Sequence, residues 1–256
     1  TDNLTDFGYK TTNIGFSLGT AFEQYEDFYF QPELAASYEE LQTTSSASSS
    51  LRKQKGDYLD AYFNYSLTYD RRDQAYRPEE GFRNSFYQEL PLMSDNNEIV
   101  NSFETTKYKK FSNIITKISY YGKAVNTLNN KDVRVSKRLY VPKSKLRGFE
   151  NGKVGPVENN NFIGGNYVST INFNAALPEF LPNFQNTDIS FFIDAATLWG
   201  VDYNSSIDKR KIRSATGLGL DVFTPIGPLS FSLSYPITKS SSDKTETFRF
   251  NLGTTF

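Results

Sequence analysis

The fold is decided by the last ten residues, Thr247-Phe248-Arg249-Phe250-Asn251-Leu252-Gly253-Thr254-Thr255-Phe256. Phe248, Phe250, Leu252 and Phe256 fall on one face of an extended strand, and the polar residues between them fall on the other. Residues 229–237 show the same alternation, with serine at positions 230, 232 and 234. The C-terminus is therefore predicted to be a two-stranded hairpin with one apolar and one polar face.

The same period continues towards the N-terminus and predicts about eleven antiparallel strands, long enough for a tilted crossing of a bilayer. The predicted strands are 13–24, 28–41, 58–70, 82–90, 111–121, 133–141, 167–177, 189–194, 212–223, 229–237 and 247–256. Short connections (25–27, 224–227) alternate with long polar ones (42–56, 142–165, 200–211). We therefore expect an all-β, antiparallel transmembrane β-barrel.

An odd number of strands would close such a barrel only through a parallel seam, because its first and last strands run in the same direction. Open edges are not tolerated in lipid, where their backbone groups would have no partners. We therefore expect either further strands before Thr1 or a strand count that is wrong by one.

A soluble β-sandwich, such as an adhesin or lectin domain, would show the same alternation with its apolar face turned inward. Two features favour the membrane: aromatic residues at strand ends, and polar faces of Ser, Thr, Asn and Gly in place of Lys and Glu.

The composition excludes several functions. The 28 basic and 29 acidic residues nearly cancel, so nothing favours a nucleic-acid partner. The absence of His and Cys from the chain removes imidazole and thiolate catalysis and the usual zinc ligands. We expect no enzymatic activity, no metal and no cofactor.

Four features in a fixed order resemble the BamA-like family of outer-membrane assembly factors. They are Leu146-Arg147-Gly148-Phe149 in the loop 142–165, Phe191-Phe192-Ile193-Asp194-Ala195-Ala196, the hairpin Ser214 to Tyr235, and the terminal Phe256. The first resembles the family's [VL]RG[FY] motif and the second its F-x-D-x-G strand.

The resemblance implies a sixteen-stranded barrel of a Gram-negative outer membrane, carrying the bacterial surface antigen domain and preceded by periplasmic POTRA domains. Residues 1–256 would be its C-terminal eleven strands, with the loop 142–165 folded into the lumen. The implied partners are unfolded β-barrel clients, accessory lipoproteins, periplasmic chaperones and outer-membrane lipids including lipopolysaccharide.

Arg147 is the main candidate for a site residue. If its loop folds into the lumen, the guanidinium can reach Asp194, which lies on the polar face of its strand, and form a bidentate pair shielded from water. In the family the matching arginine makes such a contact. A family carboxylate on the preceding strand is replaced by Asn174, a candidate supporting amide that can accept one hydrogen bond but brings no charge. We therefore expect either a weaker latch or a contribution from Glu150 or Glu158.

The expected function is to fold and insert β-barrel proteins through an openable seam at the terminal strand, which Gly253 weakens. The alternative within the superfamily is a two-partner secretion pore. The basic residues Lys137, Arg138, Lys143 and Lys145 could meet lipopolysaccharide phosphates, although solvated loop charge is the simpler interpretation.

Overall fold

The computed structural model describes residues 2–4, 7–45, 47–178, 180, 186–208, 210–224 and 227–252. Its elements are β1 (Asp2–Leu4), β2 (Tyr9–Gly19), β3 (Phe22–Tyr25), β4 (Phe28–Thr43), α1 (Ser49–Arg52), β5 (Gly56–Asp70), β6 (Gly81–Met93), β7 (Glu98–Phe111), β8 (Ile114–Thr127), β9 (Val157–Glu158), β10 (Asn161–Phe162), β11 (Tyr167–Pro178), β12 (Thr187–Trp199), β13 (Ile212–Thr224), β14 (Gly227–Thr238) and β15 (Phe248–Leu252). Among the described residues, no helix has the length and apolar character needed to cross a bilayer.

One antiparallel sheet contains thirteen of these strands, and its order is β1-β2-β4-β5-β6-β7-β8-β11-β12-β13-β14-β15, with β3 added beside β4. Ten of them are between 11 residues (β2) and 16 residues (β4) long, enough to cross the hydrocarbon layer at a tilt. Within the described residues the end strands β1 and β15 do not pair with each other. The predicted antiparallel all-β fold is confirmed.

The prediction of eleven strands agrees with the eleven principal strands β2, β4–β8 and β11–β15, but two errors cancel in that agreement. The sequence 111–121 was predicted as one strand, whereas a turn at Ser112 and Asn113 separates β7 from β8, so β7 was missed. The predicted strand 133–141 is wrong, because it contains a 3-10 turn (Val135–Lys137) and lies outside the sheet.

The two faces of the sheet have the polarity of a membrane barrel. Apolar side chains point outward and are widely exposed, for example Ile14 at 73%, Phe16 at 76% and Leu218 at 56%. The opposite face buries polar side chains such as Asp194 and Ser230, both fully covered. The soluble sandwich is therefore wrong, because the apolar rows do not pack against each other.

Residues 128–166, here called the inner segment, connect β8 to β11, and from Val133 onward the segment packs against the polar face of the sheet. Arg134 bonds Asp60 on β5, and Phe149 pairs with Thr245 just before β15. These two strands are eight neighbours apart in the sheet, which is about 38 Å if the sheet were flat. A second cross-link, from Arg77 after β5 to Asp188 on β12, also joins parts of the sheet that are several strands apart. The sheet therefore curls around the inner segment, which is longer than the predicted loop 142–165.

Candidate functional site

The centre of the site is the pair formed by Arg147 on the inner segment and Asp194 on β12. Arg147 Nε lies 2.7 Å from Asp194 Oδ2, and Nη2 lies 2.9 Å from Oδ1. The backbone N–H of Arg147 also donates to Oδ2 at 3.0 Å. The Arg147 side chain is 3% exposed and that of Asp194 is 0% exposed, so solvent screens this bidentate pair very little.

One aromatic ring and one glycine shape the floor beneath the guanidinium. The Arg147 guanidinium carbon lies 3.5 Å from the ring centroid of Phe192, within the range of a cation–π contact. Phe192 in turn packs on Gly217 of β13, where a Cβ would come within 2.7 Å of the ring. The glycine in the predicted hairpin 214–235 thus makes room for the aromatic ring that supports Arg147.

Gly148 is needed for the turn that follows Arg147. Its φ is +85°, a conformation that residues with a Cβ rarely adopt, and a Cβ there would lie 2.9 Å from that of Ala215. Leu146 and Phe149 on either side are 3% and 2% exposed and pack into an apolar cluster with Val154, Val168 and Leu198. The four motif residues therefore use two apolar anchors and one glycine to present the arginine.

The amide that supports Asp194 is Asn172, not Asn174. Asn172 stands directly opposite Asp194 in the β11–β12 register, and its Nδ2 donates to Asp194 Oδ1 at 2.8 Å and to the Lys145 carbonyl at 2.8 Å. Asn174 is on the same face, two residues further along, opposite Phe192. It lines a cavity of about 210 Å³ beside Arg147, and its Oδ1 has no hydrogen-bond partner there.

The two glutamates proposed as supporting residues lie elsewhere. Glu150 is exposed, and its backbone N–H donates to the Lys244 carbonyl at 3.0 Å. Glu158 Oε2 accepts a hydrogen bond from the Tyr203 hydroxyl at 2.8 Å. Burial is the largest cause that raises the pKa of Tyr203, so the phenol remains a neutral donor to this carboxylate. Neither glutamate contacts Arg147, because the chain turns away after Gly148.

Of the four basic residues Lys137, Arg138, Lys143 and Lys145, three face the sheet instead of a lipid surface. Lys137 Nζ is 3.4 Å from Glu89 Oε1, Lys145 bonds Glu104, and Arg138 is 4% exposed. Only Lys143 in this group is exposed. The interpretation as solvated loop charge, or as a cluster for lipopolysaccharide phosphates, is therefore wrong for three of the four side chains.

The terminal strand presents Phe248, Phe250 and Leu252 outward, at 54%, 47% and 60% exposure. Gly253 and Phe256 lie outside the described residues. Arg249, between the outward residues, points to the inner face and is 3% exposed. Arg249 and Asn172 were both missed, although the alternation of each strand already placed them on its polar face.

A model of the Omp85 superfamily domain matches residues 2–256. This chain belongs to the Omp85 superfamily. It is 27% identical over 141 residues to the outer membrane protein assembly factor BamA of Neisseria meningitidis serogroup B, covering 43% of this chain and 17% of the relative. It is 26% identical over 218 residues to a SAM50-like protein of Schizosaccharomyces pombe, covering 78% of this chain and 45% of the relative. The chain thus spans less than half the length of these curated relatives.

Solved structures show the fold of this Omp85 chain. BamA from Haemophilus ducreyi lacking POTRA domains 1–3 superimposes with a TM-score of 0.82 at 23% identity, covering 94% of this chain and 54% of that one. CdiB from Acinetobacter baumannii gives a TM-score of 0.60 at 13% identity, covering 95% of this chain and 42% of that one. The predicted resemblance to the BamA-like family and the predicted outer-membrane location are confirmed.

Proposed function

We propose that this Omp85 chain is the barrel portion of a factor that folds and inserts other β-barrel proteins into the bacterial outer membrane. The observation that carries the proposal is the buried Arg147–Asp194 pair, which joins the Leu146–Phe149 motif to the inner wall. The domain match and the relative named as an outer membrane protein assembly factor support the same proposal.

The proposed mechanism uses the edge of the sheet and no bond-making chemistry. Among the described residues β15 is the last strand of the sheet, and an edge strand offers backbone donors and acceptors to an incoming strand. A client strand that adds at this edge gains hydrogen bonds and apolar burial as it folds, so its own folding supplies the free energy. Arg147 and Asp194 act as a latch that holds the inner segment in place while the edge exchanges partners.

The proposed partners follow from this mechanism. Unfolded outer-membrane β-barrels are the clients, and the outward apolar face requires outer-membrane lipids, including lipopolysaccharide. Accessory lipoproteins and periplasmic chaperones would deliver clients from the short-connection side of the sheet. POTRA domains before residue 1 and a closed barrel of sixteen strands belong to the same proposal.

The test is the rate at which the full-length protein, reconstituted in lipid vesicles, folds a client barrel. Arg147→Ala leaves the buried Asp194 carboxylate without its cationic partner, at a cost of about 3–5 kcal/mol to the latched state. We expect client folding to slow by about tenfold or more while the variant itself still inserts. Arg210→Ala is the matched control, because Arg210 is exposed and stacks on Trp199. An unchanged client rate in Arg147→Ala would rule out the latch.

A two-partner secretion pore is the second candidate, favoured by the structural likeness to CdiB. Such a pore would conduct ions in a planar bilayer and export one dedicated partner. Vesicles that fold several unrelated client barrels, without secreting a partner, would exclude it. Five POTRA domains upstream would favour assembly, and two would favour secretion.

A further inference from the structure

Arg249 occupies an unusual place, because it is an arginine on the inner face of the last strand in the sheet. Its neighbours Phe248 and Phe250 are about half exposed on the outer face, whereas Arg249 is 3% exposed. A buried guanidinium has five N–H donors and needs acceptors for them. The contacts of Arg249 therefore show what the terminal strand is attached to.

Those acceptors are mainly backbone carbonyls of the inner segment. Arg249 Nη1 donates to the Lys143 carbonyl at 2.6 Å and to the Leu146 carbonyl at 3.4 Å, and Nη2 donates to the Phe149 carbonyl. Its Nε lies 2.8 Å from Glu246 Oε2. Leu146 and Phe149 are the two ends of the Leu146–Phe149 motif, so one side chain of the terminal strand holds both ends.

A short backbone ladder joins the same two parts of the chain. The Glu246 N–H donates to the Gly148 carbonyl at 3.1 Å, and the Glu150 N–H donates to the Lys244 carbonyl at 3.0 Å. The Lys244 N–H donates to the Lys153 carbonyl at 3.1 Å. The motif is thus fixed on one side to β12 through Asp194 and on the other to the start of β15.

We propose that Arg249 is a positioning residue that couples the inner segment to the terminal strand, so that displacing β15 and releasing the Leu146–Phe149 motif are one event. If β15 moved alone, the guanidinium and the carbonyls it bonds would lose their partners inside the protein, which is costly. The inner segment therefore senses whether the terminal strand is in place. The consequence for client insertion rests on the proposed function, but the coupling itself does not.

Coupling between two sites is reciprocal in free energy, which gives a second prediction from the same arrangement. Loosening the motif at Asp194 should loosen the terminal strand, just as removing Arg249 should loosen the motif. Asp194 itself bonds Arg147 and Asn172, so an effect of Asp194 on residues 244–246 has to pass through the Leu146–Phe149 motif and its contacts with the terminal strand.

The test is hydrogen exchange on the full-length protein in lipid vesicles without any client. Arg249→Gln removes the charge and the forked donor, and we expect exchange of the Glu150, Lys244 and Glu246 amides to rise about tenfold or more. Arg210→Gln makes the same substitution at an exposed position and should leave these amides unchanged. Asp194→Asn should raise exchange at Lys244 and Glu246 in the same direction.

Exchange within about twofold of wild type in Arg249→Gln, at all three amides, would overturn the coupling. If Arg249→Gln does not fold, Arg249→Lys takes its place: it keeps the charge but loses the fork, so a smaller rise at the same amides supports the proposal and no rise overturns it. Because no client is present, the result is independent of assembly activity. If the variants show this coupling but the wild-type protein folds no client barrel, the proposed function is overturned and the coupling is not.

Discussion

Gly148 is the single residue that allows the backbone turn of the Leu146–Phe149 motif. Its φ is +85°, and a Cβ at this position would lie 2.9 Å from the Cβ of Ala215, so both the backbone and the space act against any side chain. We expect Gly148→Ala to destabilise the inner segment by about 1–3 kcal/mol, measured as faster hydrogen exchange of residues 146–150. Gly56→Ala is the control, because Gly56 has open space around it. Equal exchange in the two variants would contradict this account.

The Arg147–Asp194 contact also shows how much of the site can be predicted from the pattern of residues along each strand. Both residues were predicted to meet, because the motif and the polar register of β12 are visible in the sequence. The supporting amide was assigned to Asn174 and not to Asn172, since the two share a face and only the β11–β12 register separates them. A one-strand pattern gives the face of a residue, whereas its partner depends on the register with the next strand.

The connection between β5 and β6, residues 71–80, acts as a unit at the opposite end of the sheet from the connections 94–97 and 128–166. Arg77 Nη2 lies 2.6 Å from Asp188 Oδ1 on β12, and its guanidinium carbon is 4.3 Å from the Phe223 ring centroid on β13. Asp73 accepts hydrogen bonds from the Glu79 and Glu80 amides. The connection is therefore held by its own hydrogen bonds and also by contacts with strands far along the sheet.

We therefore expect Arg77→Gln to release the 71–80 connection without affecting the inner segment. One lost charge-assisted contact at a partly exposed position is worth about 1 kcal/mol, so exchange of the Glu79 and Glu80 amides should rise about fivefold. Arg83→Gln is the control, because Arg83 is 3.8 Å from Asp70 and 40% exposed. A rise of the same size in Arg83→Gln would show that the effect is general loss of charge.

The strands themselves were predicted well where one face meets lipid and poorly where it does not. Residues 133–141 alternate because Val133 and Val135 are buried in apolar clusters while Arg134 bonds Asp60, yet they pack against the inner face of the sheet and form no strand of it. β7 was missed because its outer face carries few large apolar residues beyond Phe103 and Phe111. Alternation at every second residue indicates an extended chain with two unlike sides. Whether lipid, water or protein surrounds each side has to be inferred from other features of the sequence.

On the scale of the whole molecule, the burial is the reverse of that in a soluble protein. The guanidinium groups of Arg134, Arg147, Arg213 and Arg249 are buried on the inner side of the sheet, each beside a carboxylate. The outer face leaves Leu and Phe uncovered along the middle of the strands. This arrangement is stable only if hydrocarbon covers the outer face. The cost of placing a charge on that face should therefore depend on how deep the position lies in the bilayer.

β13 allows that dependence to be measured on one strand and one face. Leu218 is at its centre and Ile212 at its start, both outward and exposed at 56% and 68%. Arginine at the bilayer midplane costs about 2–4 kcal/mol, and near the interface about 0–1 kcal/mol, because only the end position lets the guanidinium reach water. Leu218→Arg should therefore lower the free energy of unfolding in vesicles, measured by urea titration, by clearly more than Ile212→Arg. Equal losses at the two positions would mean that the centre of β13 is not in hydrocarbon, and the membrane-spanning arrangement of the sheet would have to be abandoned.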